Sequence, residues 1–182
     1  PIKAFMPSRL IAVGDPHQLA PPLPTEGAGG RDLSLTLFSR LAAHHSVVLL
    51  STQYRCHPHM ASLASQLFYG GRLVSGITQQ QRAPVLSFVE APLLFVDSAG
   101  MGSDVKDASG SYCNALHTRL AVHVLQRMAS EWPNADALAQ RCGVITLFRA
   151  QARHVRSALA SLPLLAALRV STVDAFQGAE QD

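Results

Sequence analysis

The sequence predicts an α/β fold built on parallel strands, and two observations carry that expectation. Short apolar runs such as "RLIAV" (9–13) and "GVITL" (143–147) alternate with segments whose apolar residues recur at helical spacing. Three runs also open into polar clusters, "GDPHQL", "TLFRAQ" and "STVDAFQGAEQD". In an open α/β sheet the ligand crevice lies at such strand ends. The composition agrees, because 48% hydrophobic and 15% charged residues in a chain of 182 exclude a disordered segment. No apolar run approaches the roughly 20 residues that span a bilayer.

The elements follow in order. Arg9–Val13 is expected as a buried strand that delivers Gly14-Asp15-Pro16 at its C-terminal end. "PPLPTEGAGG" (21–30) holds too much Pro and Gly for either regular element. Asp32 or Ser34 is expected to cap a helix with Leu35, Phe38, Leu41 and Ala42 on one face, and "SVVLL" (46–50) to form a strand. Pro58 suits the first turn of a helix. Met60, Leu63, Leu67 and Phe68 then repeat at helical spacing until Gly70-Gly71.

"LLFVD" (93–97) reads as a strand and "GMGSDVKDASGS" (100–111) as an exposed loop. Leu116, Leu120, Val124 and Met128 mark a helix that ends before Pro133. Gly143–Leu147 is a strand, Gln151–Leu162 a helix with Val155, Leu159 and Leu162 inward, and Arg169–Val173 the last strand.

Charge and cysteine content bound the partners. The net charge is +3, and Lys3 and Lys106 are the only lysines among 15 basic residues. Guanidinium groups suit phosphate or nucleic acid, although a solvated arginine-rich surface explains the bias equally well. Cys56, Cys113 and Cys142 are odd in number and widely spaced, which predicts a reduced, intracellular compartment. The chain opens on Pro1 and closes on "VSTVDAFQGAEQD", so a fragment of a longer protein is expected.

The densest polar chemistry is "TQYRCHPHM" (52–60). Either Cys56, His57 and His59 cage a metal, or Gln53, Tyr54 and Arg55 grip a planar, anionic ligand. Zinc needs a second ligand pair at suitable spacing, and no CxxC or HxxxH occurs. No metal site is therefore expected. Gln18 carries donor and acceptor in one amide and can contact a γ-phosphate and an attacking water together; its plain alternative is a turn residue. Arg55 can stabilise a transferring phosphoryl group or form a surface ion pair. Tyr54 can stack on a base or sit half-buried in a core. Thr146, Ser171 and Thr172 at strand ends can donate to nucleic-acid phosphates, as can Arg149, Arg153 and Arg156. Glu180 and Asp182, after Gly178, can bond a ribose hydroxyl or remain solvated.

"VGDPHQLAPP", "LLSTQYRCHPHMASLASQLFYGGRLVSG", "VITLFRAQ" and "VSTVDAFQGAEQD" resemble consecutive motifs of superfamily 1 helicases of the up-frameshift-like branch. Within it they are most similar to the helicase region of GRF-type zinc-finger proteins. The resemblance implies two RecA-like domains with ATP between them and single-stranded nucleic acid, DNA before RNA, across the top. It implies that residues 1–52 end the first domain and 53–182 form most of the second. Asp15, Gln18, Gln53, Tyr54, Arg55, Gly178 and Glu180 would serve ATP: Gln18 as γ-phosphate sensor, Tyr54 as adenine-stacking ring, Arg55 as arginine finger. Thr146, Ser171 and Thr172 would touch the nucleic-acid backbone. Mg²⁺ would be held by residues upstream of Pro1, where the family carries GxxxxGK followed by Ser or Thr and an acidic motif. The isolated chain is accordingly expected not to hydrolyse ATP, and a non-catalytic nucleic-acid-binding remnant is the other reading. His117 stands where many relatives carry an acid, and Leu147 replaces the proline of "ITPY". The GRF-type likeness points to the nucleus.

Overall fold

The computed structural model describes residues 8–19, 36–83 and 86–178 and falls into two units, Pro1–Thr78 and Gln79–Asp182. It is a mixed α/β structure with small two-stranded sheets.

In the first unit, α1 (Leu37–Ala42) is capped by Thr36, whose hydroxyl accepts from the Ser39 amide at 3.1 Å. Thr36 thus takes the place expected of Asp32 or Ser34, which with Leu35, the 21–30 segment, Glu180 and Asp182 lie outside the described residues. Strand β1 (Thr52–Gln53) runs parallel to β2 (Val74–Ser75), and α2 (Pro58–Phe68) connects them. Pro58 opens α2 as expected, because the first turn has no use for its missing N–H. Gly70 and Gly71, at φ 59° and 75°, stop it in a conformation that side chains resist.

Two strand expectations fail in this unit. Arg9–Val13 and Ser46–Leu50 are neither strands nor buried, with Ile11 88% and Val13 86% exposed. A fully apolar strand is stable only between flanking strands that satisfy its backbone, and no described strand pairs with either run. The face of α2 is also reversed. Ala61 and Ser65 are buried while Met60, Leu63, Leu67 and Phe68 are exposed. The Ser65 hydroxyl, bonded to Leu73 N at 2.9 Å and Leu73 O at 3.2 Å, draws that side of the helix onto the chain leading into β2.

The second unit centres on β5 (Gly143–Thr146) and β6 (Arg169–Thr172), parallel with Val144 beside Val170 and Thr146 beside Thr172. Between them runs α5 (Arg149–Ala160), preceded in the chain by the hairpin β3 (Val105–Lys106) and β4 (Tyr112–Cys113), then α3 (Ala115–Ala129) and α4 (Ala135–Arg141). The short α6 (Val173–Phe176) follows β6. Leu125, Leu138, Val155, Leu159, Leu165 and Val170 make one apolar core. Val155 and Leu159 point inward as their spacing predicts, while Leu162 is only half-buried. Trp132 packs against this core with the Arg141 guanidinium 5.6 Å from its ring centroid. Its buried Nε1 has no hydrogen-bond partner among the described residues.

Three further expectations change here. Leu93–Asp97 forms no strand and Phe95 is exposed. The "exposed loop" contains the β3–β4 hairpin, whose turn is organised by Asp107: its Oδ1 accepts from Ser109 N and Ser111 N, and Gly110 supplies φ 82°. On α3 the deepest stripe is Thr118, Leu125 and Ala129, while Leu116, Leu120, Val124 and Met128 are half-buried. Gln151 sets that rotation. Its Nε2 donates to Thr118 Oγ1 at 2.8 Å and its Oε1 accepts from Asn114 N at 2.7 Å. Asn114 in turn caps α3 by accepting from Leu116 N and His117 N.

Candidate functional site

Five of the predicted site residues lie in the first unit. The turn after β1 is built by Gln53, whose Oε1 accepts from Arg55 N and Cys56 N, each at 2.9 Å. Its Nε2 donates to Cys56 O at 2.9 Å and Ser75 Oγ at 2.7 Å. Both donors and both acceptor positions of the amide are occupied. Gln53 therefore fixes the backbone from which Tyr54 and Arg55 project, and both side chains are exposed.

The Tyr54 ring lies against Gly76. A Cβ placed on Gly76 would meet Tyr54 Cε1 at 2.2 Å, so only glycine leaves the ring in this position. With 64% of the residue still exposed, the ring offers an open surface for stacking. Gly76 and Ser75 were missing from the sequence reading. Their signal is that "SG" ends the strand paired with "TQ", a pairing invisible until the register is known.

Asp15 and Gln18 form a second cluster. Gln18 Nε2 donates to Asp15 Oδ2 at 2.8 Å, His17 N donates to Oδ1 at 3.0 Å, and Tyr69, 54 residues away, donates its hydroxyl to Oδ2 at 2.6 Å. Partial burial pushes the Asp15 carboxyl up, but the bonds from Tyr69, His17 and Gln18 outweigh it and hold the group below its usual range. The bond to Asp15 raises the Tyr69 phenol correspondingly. His17 adds an edge-on ring contact to Tyr69, with centroids 5.2 Å apart.

The polar residues of the remaining quoted stretch serve local structure. His57 is buried and caps α2, its Nδ1 accepting from His59 N at 3.1 Å. Among the described residues no three His, Cys, Asp or Glu side chains come together as a metal cage.

Four predicted site residues, Thr146, Ser171, Thr172 and Gly178, lie among the described residues of the second unit. The β5–β6 register sets Thr146 and Thr172 side by side and Ile145 beside Ser171. Thr146 Oγ1 donates to Phe148 O at 3.0 Å, closing the turn into α5. Ser171 Oγ accepts from Arg169 Nε at 3.4 Å. Thr172 precedes α6 without using its hydroxyl as a cap. Gly178 holds φ 78° in open space, so its conformation rather than crowding requires glycine. Of the three helix arginines, Arg153 pairs with Asp107 and Arg156 donates to Val170 O at 2.8 Å, which commits both to the fold. Arg149 makes no side-chain bond to a described residue.

Comparison with known proteins bears on both groups. The family described as an AAA domain matches residues 33–182. The 5'-3' DNA helicase ZGRF1 of Mus musculus is 37% identical over 188 residues, covering 100% of this chain and 10% of that protein. The helicase SEN1 of Saccharomyces cerevisiae is 29% identical, covering 96% of this chain and 8% of that protein. The ATP-dependent helicase upf1 of Schizosaccharomyces pombe is also 29% identical, over 96% and 20%. The chain thus spans a fifth or less of the length of these relatives.

Proposed function

Since the chain belongs to the AAA-domain family, with superfamily 1 helicases among its relatives, we propose that it is part of an ATP-driven motor that moves on single-stranded nucleic acid. The observation that carries this reading is the turn after β1. Gln53 clamps it from both sides, and Tyr54, backed by Gly76, presents a stacking surface on the residue that precedes the exposed Arg55. An aromatic ring and a fixed cation on adjacent residues suit a nucleotide, one taking the base and the other the phosphate charge.

In this reading the RecA-like domains divide at residues 1–52 and 53–182. Tyr54 stacks on adenine and Arg55 acts as the arginine finger. Gln18, held by Asp15, senses the γ-phosphate, and Gly178 with Glu180 meets sugar and phosphate. Thr146, Ser171 and Thr172 meet the strand. Magnesium accompanies ATP, but the described residues bring no set of ligands together for it, so none is assigned to them. The name of the mouse relative favours DNA as the strand, and with it a nuclear location.

Arg55→Ala in the full natural protein tests the reading. Strand-stimulated ATP turnover should fall by about 10³ to 10⁵, the range typical of arginine fingers, while nucleotide affinity changes far less. An unchanged kcat removes Arg55 from the role.

A further inference from the structure

Asp15 is held from two directions. Within its own turn, Oδ1 accepts from His17 N at 3.0 Å, Oδ2 accepts from Gln18 Nε2 at 2.8 Å, and Gln18 N donates back to the Asp15 carbonyl at 3.3 Å. From 54 residues away, the Tyr69 hydroxyl donates to the same Oδ2 at 2.6 Å. That is the length of a charge-assisted O–H···O⁻ bond, roughly twice as strong as a neutral one. Among the described residues it is the one hydrogen bond that reaches the Asp15 side chain from outside the turn.

The hydroxyl has a narrow task. The Tyr69 backbone ends α2, its N–H donating to Ser65 O at 3.0 Å and its carbonyl accepting from Arg72 Nε at 3.1 Å, and its ring meets His17 edge-on. A phenylalanine would keep every one of these contacts. The turn is seated independently as well, because Gly14 lies against the Phe38 ring, where an added Cβ would come within 3.2 Å of Cδ2. What the hydroxyl fixes is the rotation of the Asp15 carboxylate, with Oδ1 already on a backbone N–H and Oδ2 on a phenol carried by the end of a helix. Asp15 and Tyr69 are half-buried and Gln18 is exposed, so a pinned anion supports a side chain that is open to a ligand.

We propose that Tyr69 is a positioning residue for ATP hydrolysis: through Asp15 Oδ2, its hydroxyl fixes the orientation in which the Gln18 amide meets the γ-phosphate and the attacking water. The proposal rests on the motor reading and deepens it. An amide presents a donor on one side and an acceptor on the other, and a carboxylate that turns would turn both away from the arrangement the reaction needs. The reading divides the RecA-like domains after residue 52, which assigns Asp15 and Gln18 to one and Tyr69 to the other. The hydroxyl therefore ties the sensor to α2, which begins at Pro58, just after Tyr54 and Arg55.

The test is strand-stimulated ATP turnover by the full natural protein, with oligodeoxythymidylate as the strand. Tyr69→Phe removes one oxygen and should lower kcat by about 10- to 100-fold, the scale of a misplaced reacting group, while KM for ATP and the melting temperature stay close to wild type. Gln18→Ala removes the positioned group itself. Adding Tyr69→Phe to Gln18→Ala should then cost nothing further, because two residues that act as one unit are not additive. A merely structural hydroxyl would lower kcat by the same factor in both backgrounds, and that result overturns the proposal. Wild-type kcat in Tyr69→Phe beside an impaired Gln18→Ala overturns the role of Tyr69 alone. Wild-type kcat in Gln18→Ala, or no strand-stimulated turnover by the wild-type protein, overturns the reading beneath it and the proposal together.

Discussion

The two units of this chain use similar proportions of apolar residues to different effect. In the second unit Leu138, Val155, Leu159 and Leu165 are fully buried around one parallel strand pair and its connecting helix. In the first, Ile11, Val13, Val48 and Leu50 are all more than 80% exposed, and the predicted site residues stand on short turns held by side-chain hydrogen bonds. Hydrophobic sequence alone therefore builds no core. The second unit has a strand pair wide enough to cover with a helix, whereas β1 and β2 pair only two residues each. What holds the first unit's site is polar: one saturated amide at Gln53 and one shared carboxylate at Asp15.

This contrast is most directly broken by truncating a leucine in each unit. Leu159→Ala should cost about 2 to 5 kcal/mol, the range for a leucine emptied from a packed core. Leu67→Ala, at an exposed position of α2, should stay within about 0.5 kcal/mol. Equal losses in urea unfolding followed by circular dichroism would mean that the exposed apolar face of α2 is covered in solution.

A polar tie in the second unit sharpens the comparison. Gln151→Ala would leave the buried Asn114 amide and Thr118 hydroxyl without their partner, at a cost of about 1 to 3 kcal/mol. A neutral result in the same unfolding measurement would show that the start of α3 is held by its Asn114 cap alone.

The smallest expected effect is on acid stability. Hydrogen bonds from Ser109 and Ser111, opposed in part by desolvation and aided by Arg153, hold the Asp107 carboxyl down to about 2. A depressed carboxylate stabilises the fold fully above its unfolded value near 3.9, and the contribution disappears as pH falls through the folded value. Asp107→Asn should therefore flatten the pH dependence of the melting temperature between about pH 4 and pH 2. Because the group is solvent-exposed the change should be modest. A melting curve unchanged by the substitution across that window would show that the hairpin turn does not depend on the charge.

Some of this was legible in the sequence and some was not. The α2 start at Pro58, its stop at Gly70-Gly71, the inward Val155 and Leu159, and the parallel β5–β6 strands follow from local chemistry and spacing. The runs at 9–13, 46–50 and 93–97 read as strands because apolar composition signals burial, but a strand also needs neighbours, and composition does not supply them. At the site the side chains that project, Tyr54 and Arg55, were readable from residue type. Gln53, which holds their backbone, was singled out as well, but Gly76 against the Tyr54 ring and Tyr69 on Asp15 were not. Gly76 and Tyr69 act through contacts 22 and 54 residues away in the chain, beyond any local pattern.

Trp132 is the chain's single tryptophan, and it is anchored in the second unit against the leucine core, under Arg141. The proposed nucleotide turn, with Tyr54, belongs to the first unit. This stretch of chain therefore carries an intrinsic optical reporter within the packed core of the second unit. A change in its emission on adding nucleotide would report that the surroundings of α4 and the leucine core respond to binding.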